Sequence, residues 1–202
     1  MSQHYYSKTP EVRHDRRTID TVLRGKNLRF TSDAGVFSKG DIDYGSRVLI
    51  ETMEIQDGAA VLDVGCGYGP IGISAAKLVP AGHVTMVDIN SRAVELAKEN
   101  ALHNGAVNVT VMESDMLGAL EGRKFDVILT NPPIRAGKAV VHGIFEQAYD
   151  HLNEDGTLWI VIQKKQGAPS AVAKLEELFG NAEEVGKDKG YRIIKATKEN
   201  KV

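Results

Sequence analysis

The sequence predicts a doubly wound α/β sheet, and three observations predict it. Short apolar runs alternate with helical patterns from residue 59 to residue 180. The runs are apolar nearly throughout rather than at every second position, as expected of strands covered on both faces. The polar motifs fall at the carboxyl ends of these runs, where ligands bind in open α/β sheets. Strands that alternate with helices run parallel, with helices packed on both sides.

Residues 17–32, RTIDTVLRGKNLRFTS, read as a hairpin, because β-type residues flank the turn signal GKN. DAGVFSKGDIDYGS (33–46) is a glycine-rich loop, and SRVLIETM (46–53) is expected to be a helix with Ser46 near its start. AAVLDV (59–64) is the first buried strand, and GISAAKLV (72–79) the helix after it. HVTMVD (83–88) is a strand. SRAVELAKENALHNG (91–105) is a helix, with Ser91 as its expected cap and Gly105 as its terminator. VNVTVM (107–112) and KFDVILT (124–130) are strands, and KAVVHGIFEQAYDHL (138–152) has apolar residues at helical spacing. GTLWIVI (156–162) is a strand and APSAVAKLEELFG (168–180) a helix. AEEVGKDKGYRIIKAT (182–197) reads as a hairpin around KDKG, which adds an antiparallel strand at one side of the sheet. The chain divides into an extension with hairpin and glycine-rich loop (1–45) and one α/β domain (46–202).

At 202 residues the chain can bury a core of its own, and 42% hydrophobic with 26% charged residues excludes wholesale disorder. The single cysteine, Cys66, excludes an internal disulfide and a cysteine metal cluster. It suits a reducing cytoplasm, and the polar N-terminus MSQHYYSKTPEVRHDRR shows no apolar signal segment. No apolar run reaches the length of a membrane helix, so no membrane association is expected. His4, His14, His83, His103, His142 and His151 show no ligand spacing, so no metal is expected. The net charge of −2 excludes a generally basic nucleic-acid coat. Arg13, Arg16, Arg17, Arg24, Lys26 and Arg29 outnumber Asp15 and Asp20, but such a run reads first as solvated surface.

Three successive strand ends each carry an acid. DVGCGYG (63–69) spaces Gly65, Gly67 and Gly69 as G-x-G-x-G, not the G-x-G-x-x-G of dinucleotide folds. Glycines here allow a tight turn and close backbone approach to a ligand, and the helix start that follows favours an anionic group. Asp63 stands badly beside a pyrophosphate and well beside a cationic amine. Asp88, ending the second strand, can accept from both ribose hydroxyls. Asp115, just past the third, can accept from an adenine amino group. A ligand with an ammonium, a carboxylate and a nucleoside is S-adenosylmethionine. Cys66 reads as a small packing residue of the loop rather than a nucleophile, since no histidine adjoins it in sequence.

TNPPIRAG (130–137) closes the fourth strand. Proline cannot donate to a ladder, so the strand stops. The side-chain carbonyl of Asn131 and the backbone carbonyl of Pro132, stiffened by Pro133, can accept two hydrogen bonds from one planar amine. Held so, the amine is drawn toward tetrahedral geometry with its lone pair aimed at a methyl donor, and catalysis is positioning plus electrostatics.

DVGCGYG, Asp88, SD (114–115) and NPPIR together resemble class I S-adenosylmethionine-dependent methyltransferases of the N-P-P type. FTSDAGVFSKGDIDYGSRVL (30–49) narrows the resemblance to the methyltransferase small domain group, which includes the catalytic halves of bacterial small-subunit rRNA guanine-N2 methyltransferases. It covers roughly residues 28–197. It implies a seven-stranded Rossmann-like sheet with the last strand antiparallel. It implies Asn131, Pro132 and Pro133 as catalytic. Cofactor contacts are implied for Phe37, Asp63, the loop residues Gly65, Cys66, Gly67 and Gly69, then Asp88 with Ile89, Asp115 with Met116, and Asn131. Phe37, Ile134, Arg135 and Lys164 are the implied acceptor-side residues, with Lys138 and Lys165 beside them for phosphates. Two features depart from the pattern: Ile134 stands where many relatives carry an aromatic residue, and the chain has a short basic extension in place of an extra N-terminal domain.

The expected function is methyl transfer to an exocyclic amine, guanine N2 of small-subunit rRNA, with rRNA or the small ribosomal subunit as partner. Transfer to a glutamine amide of a protein, and cofactor binding without turnover in ribosome assembly, are the alternatives.

Overall fold

The computed structural model describes residues 6–200. Residues 1–5 of the extension, His4 among them, and residues 201–202 of the α/β domain lie outside the described residues. A hairpin of β1 (Arg17–Leu23) and β2 (Lys26–Ser32) comes first, then α1 (Tyr44–Thr52). The alternating part follows: β3 (Ala60–Val64), α2 (Pro70–Leu78), β4 (His83–Asp88), α3 (Ser91–His103), β5 (Val109–Glu113), β6 (Phe125–Thr130), α4 (Lys138–Asp150), β7 (Leu152–Gln163) and α5 (Ala168–Phe179). β8 (Glu183–Asp188) and β9 (Tyr191–Thr197) end the fold.

The main sheet has seven strands in the order β5-β4-β3-β6-β7-β9-β8. β5 to β7 are parallel, and β9, the antiparallel last strand, inserts between β7 and β8. The chain reverses its lateral direction between β3 and β6, and these neighbours end together: Val64 pairs with Thr130, whose Oγ1 donates to the Val64 carbonyl at 2.8 Å. The glycine loop and the N-P-P turn therefore leave the sheet side by side at its switch point.

Each face of the sheet has its own apolar core. Ile73, Met86, Ala97 and Leu129 pack on one side with the hairpin's Ile19, Leu23, Leu28 and Phe30. Ile128, Phe145, Leu158 and Leu175 pack on the other with α4 and α5. The hairpin is thus stitched to α1–α3. Buried Asn100 accepts from Thr31 N and donates to the carbonyls of Thr31 and Tyr68.

Several element starts differ from the sequence expectation, and at α1 and α3 the reason is polar capping, local chemistry that periodicity does not report. α1 is capped by Asp43, whose Oδ2 accepts from Ser46 N at 2.9 Å, so the helix begins two residues before Ser46. α3 is capped by Asn90 rather than Ser91; the Asn90 side chain accepts from Ala93 N. α2 starts at Pro70, and β7 at Leu152, where it already pairs with Phe125. The hairpin turns at Arg24 and Gly25. The basic stretch stays largely at the surface, with Arg13, Arg16, Arg17, Lys26 and Arg29 exposed and Arg24 half-buried. Arg24 donates to the Ile50 and Met53 carbonyls, Arg29 pairs with Asp20, and Arg16 with Glu99.

Candidate active site

The glycine loop turns back along β4. Gly65 N and Cys66 N both donate to the Val87 carbonyl at 2.9 Å, and Gly67 N donates to Asp88 Oδ2 at 2.8 Å. Gly65, Gly67 and Gly69 all have positive φ, a conformation that disfavours any side chain. Gly69 and Gly72 also admit close packing: a Cβ at Gly72 would lie 2.6 Å from Met86 of β4. At Gly65 and Gly67 a Cβ would meet only open space, which is the cavity itself.

That cavity runs from Asp88, Ile89, Asn90, Ser114 and Met116 to Phe37, Asn131, Pro132 and Pro133. Asp88 Oδ1 accepts from Asn90 N at 2.9 Å. Burial pushes the Asp88 carboxyl up to about 6, against the pull of the backbone N–H groups of Asn90, Gly67 and Ile89.

Asp63 and Asp115 are placed differently. Asp63 lies beneath the loop, fully buried, with Oδ2 accepting from Gly72 N at 2.9 Å. Its Oδ1 has no partner among the described residues. Burial pushes this carboxyl up to about 7; the Gly72 N–H opposes that and Asp88 adds to it. Asp63 does not line the cavity. Asp115 is exposed, and its neighbours Ser114 and Met116 line the cavity in its place. Cys66 is buried and burial raises its thiol well above the usual range, so it stays protonated and packs.

A second cavity opens on the other side of Asn131. Phe37, Asp43, Asn131, Pro132, Ile134 and Arg135 line it, with Gln163, Gln166 and Tyr191. Phe37, Asn131 and Pro132 are shared with the first cavity, so the N-P-P turn forms the partition. Asn131 Nδ2 donates to Asp43 Oδ2 at 2.8 Å and Ser46 Oγ at 3.0 Å. Ala136 N donates to the Pro133 carbonyl at 2.9 Å. Among the described residues, Asn131 Oδ1 and the Pro132 carbonyl are acceptors without a donor. The loop bearing Phe37 is held from below, because the Tyr68 hydroxyl reaches the carbonyls of Ser38 and Asp41. Lys164 is exposed beside this cavity without lining it, and Lys138 lines a smaller hollow next to Ile134.

Asp43, Gln163, Gln166, Tyr191 and Tyr6 escaped the sequence reading. Two signals could have found Gln163 and Tyr191. Gln163 ends β7, where a polar residue follows an apolar strand. β9 is antiparallel, so its first residue, Tyr191, pairs with Gln163 at the same sheet edge.

The residues present fit S-adenosylmethionine: a glycine cradle open to the cavity, an acid at the end of β4, and a buried acid with an unpaired oxygen below. Among the described residues no His, Cys, Asp and Glu side chains gather as a metal site, and no helix is long and apolar enough to cross a membrane.

The sequence model of the family described as "Methyltransferase small domain" matches residues 27–195. The "Uncharacterized protein YbxB" of Bacillus subtilis is 54% identical, the match covering 98% of this chain and 100% of that one. The "Ribosomal RNA small subunit methyltransferase C" of Haemophilus influenzae is 34% identical over 83% of this chain and 52% of its own length. The chain thus spans about half the length of that rRNA methyltransferase. Among solved structures, the "T. Thermophilus 16S rRNA N2 G1207 methyltransferase (RsmC) in complex with AdoMet and Guanosine" superposes with a TM-score of 0.83 at 27% identity, covering 94% of this chain and 52% of that chain.

Proposed function

This chain belongs to the methyltransferase small domain family, and we propose that it methylates an exocyclic amino nitrogen, guanine N2 of small-subunit rRNA. Its cofactor is S-adenosylmethionine, which supplies an electrophilic methyl group on a sulfonium. The observation that carries the reading is the partition: Asn131 and Pro132 line both cavities, and the Asn131 Oδ1 and the Pro132 carbonyl have no donor among the described residues. The Asn131 Oδ1 and the Pro132 carbonyl accept the two N–H groups of the acceptor amine. The amine lone pair then turns toward the cofactor cavity. No base is needed beforehand, because the methylated ammonium product loses its proton readily to water. The work is orientation and stabilisation of growing positive charge by two fixed dipoles.

The acceptor cavity suits a flat polar base. Ile134 and Phe37 offer apolar surface, and Gln163, Gln166, Arg135 and Tyr191 offer hydrogen-bonding groups for its edges. Ile134 takes up the packing that an aromatic residue would supply. The guanosine-bound relative, similar over 94% of this chain, supports guanine. Arg135, Lys138, Lys164 and Lys165 would meet phosphates around the opening, and an rRNA acceptor puts the reaction in the cytoplasm.

Methyl-label transfer tests the reading. The protein is incubated with labelled S-adenosylmethionine and unmodified small subunits, naked rRNA or total protein, with Asn131→Ala as control. Label recovered as N2-methylguanosine, and lost in the variant, is expected. Label in protein would move the activity to amide methylation. No label with intact cofactor binding would leave a binding module.

A further inference from the structure

The N-terminal segment reaches the cofactor cavity. Tyr6, half-buried, lines it together with Asp88, Ile89, Asn90, Ser114 and Met116. This is the end away from Asn131, where the nucleoside is expected. The Tyr6 hydroxyl also hydrogen-bonds Asp115, and burial together with the Asp115 and Asp88 charges holds its phenol above the usual range. It therefore stays a donor.

The placement of Tyr6 is built, not incidental. The Lys8 carbonyl accepts from Ser91 N at 2.9 Å, at the start of α3. Arg92 Nη2 donates to the carbonyls of Pro10 and Val12, while its Nη1 donates to the Ala34 carbonyl at 2.6 Å. Gly35 has positive φ and approaches so closely that a Cβ there would lie 2.8 Å from Pro10. Buried Asp33 accepts from His14 at 2.5 Å and from Asp15 N at 2.7 Å. The segment is thus fastened across the start of α3 from Lys8 to Asp15.

We propose that Tyr6 is a cofactor-binding residue: its ring closes the nucleoside end of the cavity and stacks on the adenine, opposite Ile89 and Met116. This rests on the S-adenosylmethionine reading above. The hydroxyl, donating to Asp115, holds that carboxylate at the rim to accept from the adenine amino group. Asp115 then serves the nucleoside without lining the cavity. The short extension is a wall of the cofactor site.

Titration calorimetry with two probes tests this. S-adenosylhomocysteine carries the whole cofactor frame, and 5′-methylthioadenosine only its nucleoside. Tyr6→Ala is expected to weaken both by the same factor, about tenfold or more. Tyr6→Phe keeps the ring and stays within about threefold of wild type. Hydrogen exchange at the Ser91 amide gives a second readout: ligand should raise its protection in wild type and not in Tyr6→Ala. Wild-type affinity in Tyr6→Ala overturns the inference. So does weakening of S-adenosylhomocysteine alone, or a loss of Ser91 protection on binding, which would mean that adenine displaces the segment. A wild-type protein that binds neither probe overturns the cofactor reading, and this inference falls with it. Binding by wild type with an indifferent Tyr6→Ala overturns the inference alone.

Discussion

The amide nitrogen of Asn131 donates to the Asp43 carboxylate at 2.8 Å, across 88 residues of sequence. A carboxylate accepts and does not donate, so the amide has one orientation, with its carbonyl toward the cavities. Asp43 also caps α1. Asp43→Asn keeps the cap, since asparagine caps helices about as well, but lets the Asn131 amide turn over. Expected are a thermal midpoint close to wild type, unchanged S-adenosylhomocysteine affinity, and a kcat lower by roughly tenfold to a hundredfold, given what a single positioned dipole contributes. A proportionate loss of fold stability would instead make Asp43 a structural cap.

Cofactor affinity should rise with pH through about 6, the value to which burial raises Asp88. Only the ionised carboxylate offers all its lone pairs to two ribose hydroxyls. Below that pH the affinity for S-adenosylhomocysteine should fall by up to about tenfold per pH unit. Calorimetry from pH 5 to 8 measures this, and a flat profile would remove Asp88 from ribose binding.

Asp63 gives the opposite sign for stability. Its folded carboxyl sits at about 7 against an ordinary 3.8, so the folded state holds the proton more tightly than the unfolded chain. The contribution of this group therefore becomes less favourable as pH rises from about 4 to about 7, by roughly 4 kcal/mol at most. Asp63→Asn should be more stable than wild type at pH 8 and lose that advantage near pH 4. Urea unfolding at the two pH values decides it.

Gly45 lets Tyr191 lie against α1: a Cβ at Gly45 would stand 2.7 Å from the Tyr191 ring. Alanine favours a helix interior by about 0.8 kcal/mol over glycine, so propensity alone predicts a gain. Gly45→Ala should nevertheless raise KM for the acceptor several-fold by pushing Tyr191 into its cavity, with cofactor affinity unchanged. Equal KM values would separate Tyr191 from acceptor binding.

Removing Arg135 and Lys164 together should flatten the salt dependence of rRNA methylation. Each phosphate that is no longer neutralised lowers the slope of log affinity against log salt by about 0.7 to 0.9. A wild-type reaction indifferent to salt would make these charges ordinary surface.

The sheet, the glycine loop and the N-P-P turn are legible in the sequence because each is written in consecutive residues. Alternating apolar runs mark β3 to β7, and three glycines with positive φ mark the loop. What escapes is polar and long-range. Nothing near residue 43 announces Asn131, and nothing near Tyr6 announces Asp115. Ser91 is a good capping residue by type, yet Asn90 one position earlier takes the task. The spacing of Asp63 predicts a place beside a cationic amine. Its burial below the loop follows from its place inside β3, which is buried at every residue from Val61 to Val64.

β9 lies between β7 and β8, so the last strand is an interior one. During synthesis the amino-terminal side leaves the ribosome first, and β3 to β6 can pair while residues 183–197 are still unmade. Until then β7 keeps a bare edge of unpaired backbone, the kind that recruits foreign strands. Tyr191, the first residue of β9, is among the last to reach the second cavity. A newborn chain thus completes its nucleoside side before its acceptor side, and a copy clipped before residue 191 would be a holder without a target.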